Sequence, residues 1–205
     1  MYISVDVYEE MYLKEKDEKA VNAEIAKIRE QIKYVINKAE DPSYAYENQT
    51  TVQTVSTLKI YRSYLERAVK VLSSLNGGVD VFSEEERAAI YFNSQLENVS
   101  CITLCIDGRE YSIELLSSTA VLSDDKGIKK ELNKDSVLKD LAELYIGNWR
   151  ETYLPKDYNC VINMPTVWSV NIGFSDKSVN RIFRGEGVYP YNFEELCRIF
   201  GAYYN

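Results

Sequence analysis

The sequence predicts an α+β fold: an N-terminal antiparallel helical hairpin followed by a ββα-ββα domain. Its four-stranded, mostly antiparallel sheet is expected to carry the helices on one face. Three observations predict this. Apolar residues recur at spacings of three and four through the first 75 or so positions. From Ser100 the period changes to two. Two pairs of alternating runs are then each followed by a helical pattern. The hairpin is read as residues 1–80 and the α+β domain as 81–205, with 83–98 as a connecting helix.

Residues 16–39 form the first helical pattern, with Val21, Ile25, Ile28, Ile32, Val35 and Ala39 on one stripe. Asp41-Pro42-Ser43, continuing to Gln49, is a polar linker, because proline biases the residue before it away from helical geometry. The second helix runs from about Thr51 to Leu75, with Leu58, Leu65 and Leu72 in one row and Tyr61, Ala68 and Leu75 in the next. Asn76-Gly77-Gly78 ends it, since glycine accepts the left-handed geometry of a helix C-terminus. The leucine row faces the same chain or a partner; the spacing alone leaves both open. Ser83 with Glu86 has capping-box spacing and starts the third helix.

Cys101 to Ile106, Asp107-Gly108 and Arg109 to Leu115 read as a β-hairpin on an Asp-Gly turn. A polar stretch from Ser117 to Lys134 follows. Asp135 or Ser136 is expected to cap a helix that carries Val137, Leu138, Leu141 and Trp149. The strand Val167–Phe174 and a return over Val179–Phe183 make the second hairpin. Asn192 then caps the closing helix, with Glu195 three residues on.

Composition removes many functions. The chain has no histidine, so the usual general base near neutral pH is missing, as are Ser-His and Cys-His nucleophiles. The four cysteines read as free thiols; Cys101-x3-Cys105 lacks zinc-knuckle spacing, and no metal or cofactor is expected. The net charge of −8, with no basic tract, argues against general nucleic-acid binding. Whether that acidity mimics nucleic acid or is an ordinary solvated surface stays open. No apolar run reaches the roughly 20 residues of a membrane span. The start shows no basic flank before an apolar stretch, so a cytoplasmic protein is expected. Asp124-Asp125, Glu84-Glu85-Glu86, Glu194-Glu195 and Glu9-Glu10 are the carboxylate pairs and runs; the last three sit where acids favour helix starts.

The segment Trp168-x-Val170-x-Ile172-x-Phe174, then Gly185, Tyr189-Pro190, Asn192-Phe193 and Glu195-Leu196, resembles a pattern in bacterial and prophage proteins of unknown function. The resemblance covers roughly the last 70 residues and implies a fold module with no active site attached. The chain departs from the pattern at Lys177, at Met164-Pro165 and at Gly187.

Seventeen tyrosines exceed what this length requires, and tyrosine favours interfaces because its large ring ends in a polar tip. Tyr44, Tyr46, Tyr189, Tyr191, Tyr203 and Tyr204 are the candidate partner-binding residues. A non-enzymatic protein-binding module is therefore expected. The prophage resemblance sharpens this to an inhibitor of a bacterial defence complex, anti-CRISPR-like, working in the host cytoplasm. The competing readings are a metal-dependent carboxylate enzyme of nuclease or phosphotransfer type, and a structural oligomer built through the hairpin.

Overall fold

The computed structural model describes residues 2–45, 51–78, 80–176 and 178–202. The chain divides into two compact units, Met1–Ser83 and Glu84–Asn205.

The first unit is helical. Its opening helix, α1 (Val5–Tyr12), was not legible in the sequence; Ser4 caps it by accepting from the Val7 N–H at 3.3 Å. In α2 (Glu18–Glu40) the cap is Asp17, whose carboxylate accepts from the Ala20 N–H at 2.8 Å. A single turn, α3 (Pro42–Ala45), and α4 (Thr51–Leu75) follow. The stop after α4 is as expected: the Asn76 N–H bonds the Leu72 carbonyl, the Gly78 N–H bonds Ser73, and Gly77 sits at φ +73°. Val21, Ile25 and Ile28 of α2 pack with Tyr64, Leu65, Ala68, Val69 and Leu72 of α4. Leu58, Leu65 and Leu72 are all buried, so the leucine row faces its own chain; Leu75, in the neighbouring row, is half exposed.

The second unit begins with α5 (Glu84–Ser94), directly after Ser83. It continues through β1 (Val99–Ile106), β2 (Arg109–Leu115), β3 (Thr119–Ser123), β4 (Lys129–Asn133) and α6 (Lys134–Glu143). It ends with β5 (Thr152–Tyr153), β6 (Val167–Phe174), β7 (Arg181–Glu186) and α7 (Phe193–Phe200). The Asp107-Gly108 turn joins β1 to β2 with both residues at positive φ, as a type I′ hairpin requires.

The sheet has seven strands rather than the expected four, in the order β4-β3-β2-β1-β6-β7-β5. Neighbours run antiparallel except β5 beside β7. The stretch read as polar, Ser117 to Lys134, is the β3–β4 hairpin. It escaped notice because an edge strand needs few apolar residues: in β4 only Leu132 is withdrawn from solvent. The return strand also starts later than expected, at Arg181.

One face of the sheet is dry. Ile102, Leu104, Ile106, Ile113, Trp168, Val170, Ile172 and Phe183 point inward to one core, which Phe92 of α5, Leu138 and Leu141 of α6, and Leu196 and Phe200 of α7 complete. Each fully buried aliphatic or aromatic side chain contributes about 1.5–3 kcal/mol. The opposite face alternates Cys101, Thr103 and Cys105 with their cross-strand partners Glu114, Ser112 and Glu110.

Two caps differ from expectation. Asn133 rather than Asp135 or Ser136 starts α6, its amide oxygen accepting from the Ser136 N–H at 2.8 Å. Asn192 does not cap α7 with its side chain, which is buried and bonded elsewhere. The helix start relies on backbone bonds instead: the Glu195 N–H donates to the Asn192 carbonyl at 3.1 Å. The helical pattern expected to reach Trp149 stops at Glu143, where Tyr145 turns the chain at φ +50° into a short 3-10 turn, Ile146–Asn148.

Candidate functional site

Tyr44 owes its position to the residues that end α2. The Asp41 N–H donates to the Asn37 carbonyl at 3.2 Å, closing the helix. The Asp41 carboxylate then accepts from the Ser43 N–H at 2.9 Å and the Ser43 hydroxyl at 2.5 Å. Pro42, which has no N–H to satisfy, opens α3, and the Tyr44 N–H returns to the Asp41 carbonyl at 3.0 Å. This Asx-type turn folds the Tyr44 ring back toward α2, where Tyr34 and Lys38 lie one helical turn apart.

The Lys38 ammonium sits 4.8 Å from the Tyr34 ring centre and 4.3 Å from that of Tyr44. Tyr34 is 59% exposed and Tyr44 is half-buried. The Tyr34 hydroxyl, outweighing the desolvation that opposes it, holds the ammonium above the usual lysine range, and the Tyr44 hydroxyl adds a smaller contribution in the same direction. The result is a surface cluster of two rings already fixed around one cation. Their outer faces and edges can meet a partner with little further ordering. Tyr34 and Lys38 were not singled out from the sequence; the i, i+4 Tyr-Lys spacing followed by Asp-Pro-Ser is the signal that finds them.

A second group of rings has an internal task. Tyr8 of α1 stacks on Tyr64 of α4 at 4.1 Å between ring centres, and its hydroxyl donates to the Glu24 carboxylate at 2.6 Å. The Tyr64 hydroxyl donates to the Ile3 carbonyl at 2.5 Å, and that of Tyr2 to Thr57 at 3.1 Å. Arg67 bonds Glu9 and lies 3.5 Å from Asp6. These contacts fasten α1 to the hairpin.

Tyr189 and Tyr191 also face inward to a large degree. Tyr191 is 6% exposed, and Tyr189, half-buried, stacks on Phe193 at 5.1 Å and on Trp168 at 6.2 Å. Neither offers a whole ring to a partner. Tyr46, Tyr203 and Tyr204 lie outside the described residues. Of the three that the structure describes, Tyr44 alone lies in a surface cluster.

Four of the carboxylates have local duties. Asp124 accepts from the N–H groups of Lys126 and Ile128 at 2.9 and 2.7 Å, shaping the β3–β4 turn. Asp107 accepts from the Val167 N–H at 2.8 Å, tying the first hairpin turn to β6. Glu194 and Glu195 flank Arg198. Among the described residues, no group of three or more Cys, Asp or Glu could hold a metal ion, and no helix is long and apolar enough to cross a membrane.

Five further groups have proton affinities displaced away from neutrality. Burial raises Tyr8, Tyr61 and Tyr111 above the ordinary tyrosine value, and pushes the Cys197 thiol up to about 12. Hydrogen bonds from Ser178 hold Asp176 below the usual carboxylate range. Comparison of the chain with protein-family models, with curated proteins and with solved structures finds no match.

Proposed function

We propose that the chain acts by binding a protein partner through the surface formed by Tyr34, Lys38 and Tyr44, and that it carries no reaction of its own. The observation behind this is the cluster itself: two rings, one of them 59% exposed, already arranged around a cation. Rigid aromatic groups with polar tips dominate binding energy at protein interfaces. Supporting it, the displaced proton affinities of Tyr8, Lys38, Tyr61, Tyr111, Asp176 and Cys197 move away from pH 7, whereas a general base or nucleophile needs one tuned toward the working pH. The net charge of −8 favours a partner whose contact surface is basic.

Affinity capture from a bacterial lysate at moderate salt tests it, with the wild-type chain beside a Tyr34→Ala/Tyr44→Ala variant. A stoichiometric protein retained by the first and lost by the second supports the proposal. No such protein, or one held equally by both, contradicts it.

A further inference from the structure

Strand β4 is the last strand at one end of the sheet, and its outer edge is open among the described residues. The hydrogen-bond pattern fixes which groups that edge presents. The Asp124 N–H donates to the Ile128 carbonyl, so Ile128, Lys130 and Leu132 turn their backbone groups toward β3. The other side of β3 agrees: the Leu116 N–H donates to Thr119, which commits Thr119, Val121 and Ser123 to β2 and leaves Ala120 and Leu122 for β4. Lys129, Glu131 and Asn133 therefore aim their N–H and C=O groups outward. Their side chains share the open face of the sheet, while Lys130 and Leu132 lie on the helix side.

We propose that two copies of the chain pair β4 with β4, antiparallel about a twofold axis at Lys130, into one continuous sheet. Residues opposed across such an axis must share a face, so registers move in whole-residue steps of the axis along the strand. An axis at Glu131 sets that carboxylate against its own copy and Lys129 against Asn133, so it forms no opposite-charge pair. An axis at Leu132 runs the ladder into α6, which begins at Lys134. An axis at Lys130 sets Lys129 opposite Glu131 of the second copy, and Glu131 opposite its Lys129. Both are outward-bonding residues, so each pair exchanges two backbone hydrogen bonds. The same register sets Ile128, which is 63% exposed, against Leu132 of the second copy on the helix side.

Lysines on an edge usually repel stray strands. Here Lys129 meets a carboxylate in one self-complementary register, while Lys130, on the axis, is long enough to swing clear of its copy. The edge is closed to a generic strand and open to its own sequence. This pairing is independent of the Tyr34–Lys38–Tyr44 surface.

Sedimentation equilibrium of the full chain tests the pairing. The wild-type chain is expected to show twice the 23.6 kDa chain mass, falling toward the single-chain mass on dilution. Glu131→Lys and Lys129→Glu are each expected to weaken the dimer at least about tenfold by opposing like charges twice. The double swap Lys129→Glu/Glu131→Lys restores the opposite-charge pairs and should recover affinity to within about threefold. Circular dichroism checks that each variant folds, and Ile128→Lys, at an exposed site, is a third probe should a single swap fail to fold. A single-chain mass throughout the micromolar range overturns the proposal. So does a dimer that ignores the single swaps, or a double swap that fails to recover.

Discussion

The indole N–H of Trp149 donates to the side-chain oxygen of Asn192 at 3.0 Å, deep in the second unit. The amide nitrogen of the same asparagine donates to the Leu144 carbonyl at 2.6 Å. Asn192, 2% exposed, thus joins the chain leaving α6 to the start of α7. It satisfies a carbonyl at the end of one helix and an indole that otherwise has no reason to be polar.

Asn192→Ala leaves both partners buried without a bond. A loss of about 2–6 kcal/mol is expected, since each orphaned buried group costs about 1–3 kcal/mol. Urea denaturation of the variant measures it. A loss under about 0.5 kcal/mol would place the side chain among ordinary helix caps.

Gly185 is required by contact, not by backbone geometry. A Cβ there would lie 2.5 Å from the Trp168 ring nitrogen and 2.6 Å from its neighbouring carbon. The ring cannot move away freely, because its N–H donates to the Val188 carbonyl at 2.8 Å and Phe193 packs 4.6 Å from it. Gly185→Ala is expected to cost about 1–3 kcal/mol as overpacking, together with a changed near-ultraviolet tryptophan signal in circular dichroism.

Stability is expected to fall in alkali in two steps. The unfolded chain releases the Cys197 proton near 9.0 and the Tyr8 proton near 10.0, while the folded chain keeps both to higher pH. The folded state then binds more protons, so the stability present below pH 9 declines as pH rises. Tyr8→Phe should lessen the slope above pH 10, leaving the shares of Tyr61 and Tyr111 in place. It should also cost about 1–3 kcal/mol at pH 7 by removing the bond to the Glu24 carboxylate. Hydrogen exchange of the α1 amides against pH reads both effects.

Much of this fold was legible because the residues that specify it act locally. The leucine row of α4, the Asp-Gly turn and the alternation from Trp168 to Phe174 are each read within a short window. The β4 edge was not, because a strand with one covered side and one bonded neighbour carries almost no apolar signal. Asn192 shows the same limit: cap spacing is a local pattern, and the buried indole that claims its side chain lies 43 residues away. The tyrosine excess pointed toward a binding surface, but sequence cannot say which rings are already used. Tyr2, Tyr8, Tyr61 and Tyr64 pack with one another, and Tyr189 packs on Trp168 and Phe193. Tyr44 reaches the surface cluster because Asp41 and Pro42 turn it there, beside a Tyr-Lys pair that periodicity alone treats as solvated helix.

The most direct test of the binding proposal is a calorimetric titration of the captured partner into the wild-type chain and into Tyr34→Ala/Tyr44→Ala. Hot-spot aromatic residues cost about 2 kcal/mol or more when truncated, so the variant is expected to bind at least about thirtyfold more weakly, with its thermal unfolding unchanged. Equal affinity for both chains would contradict it.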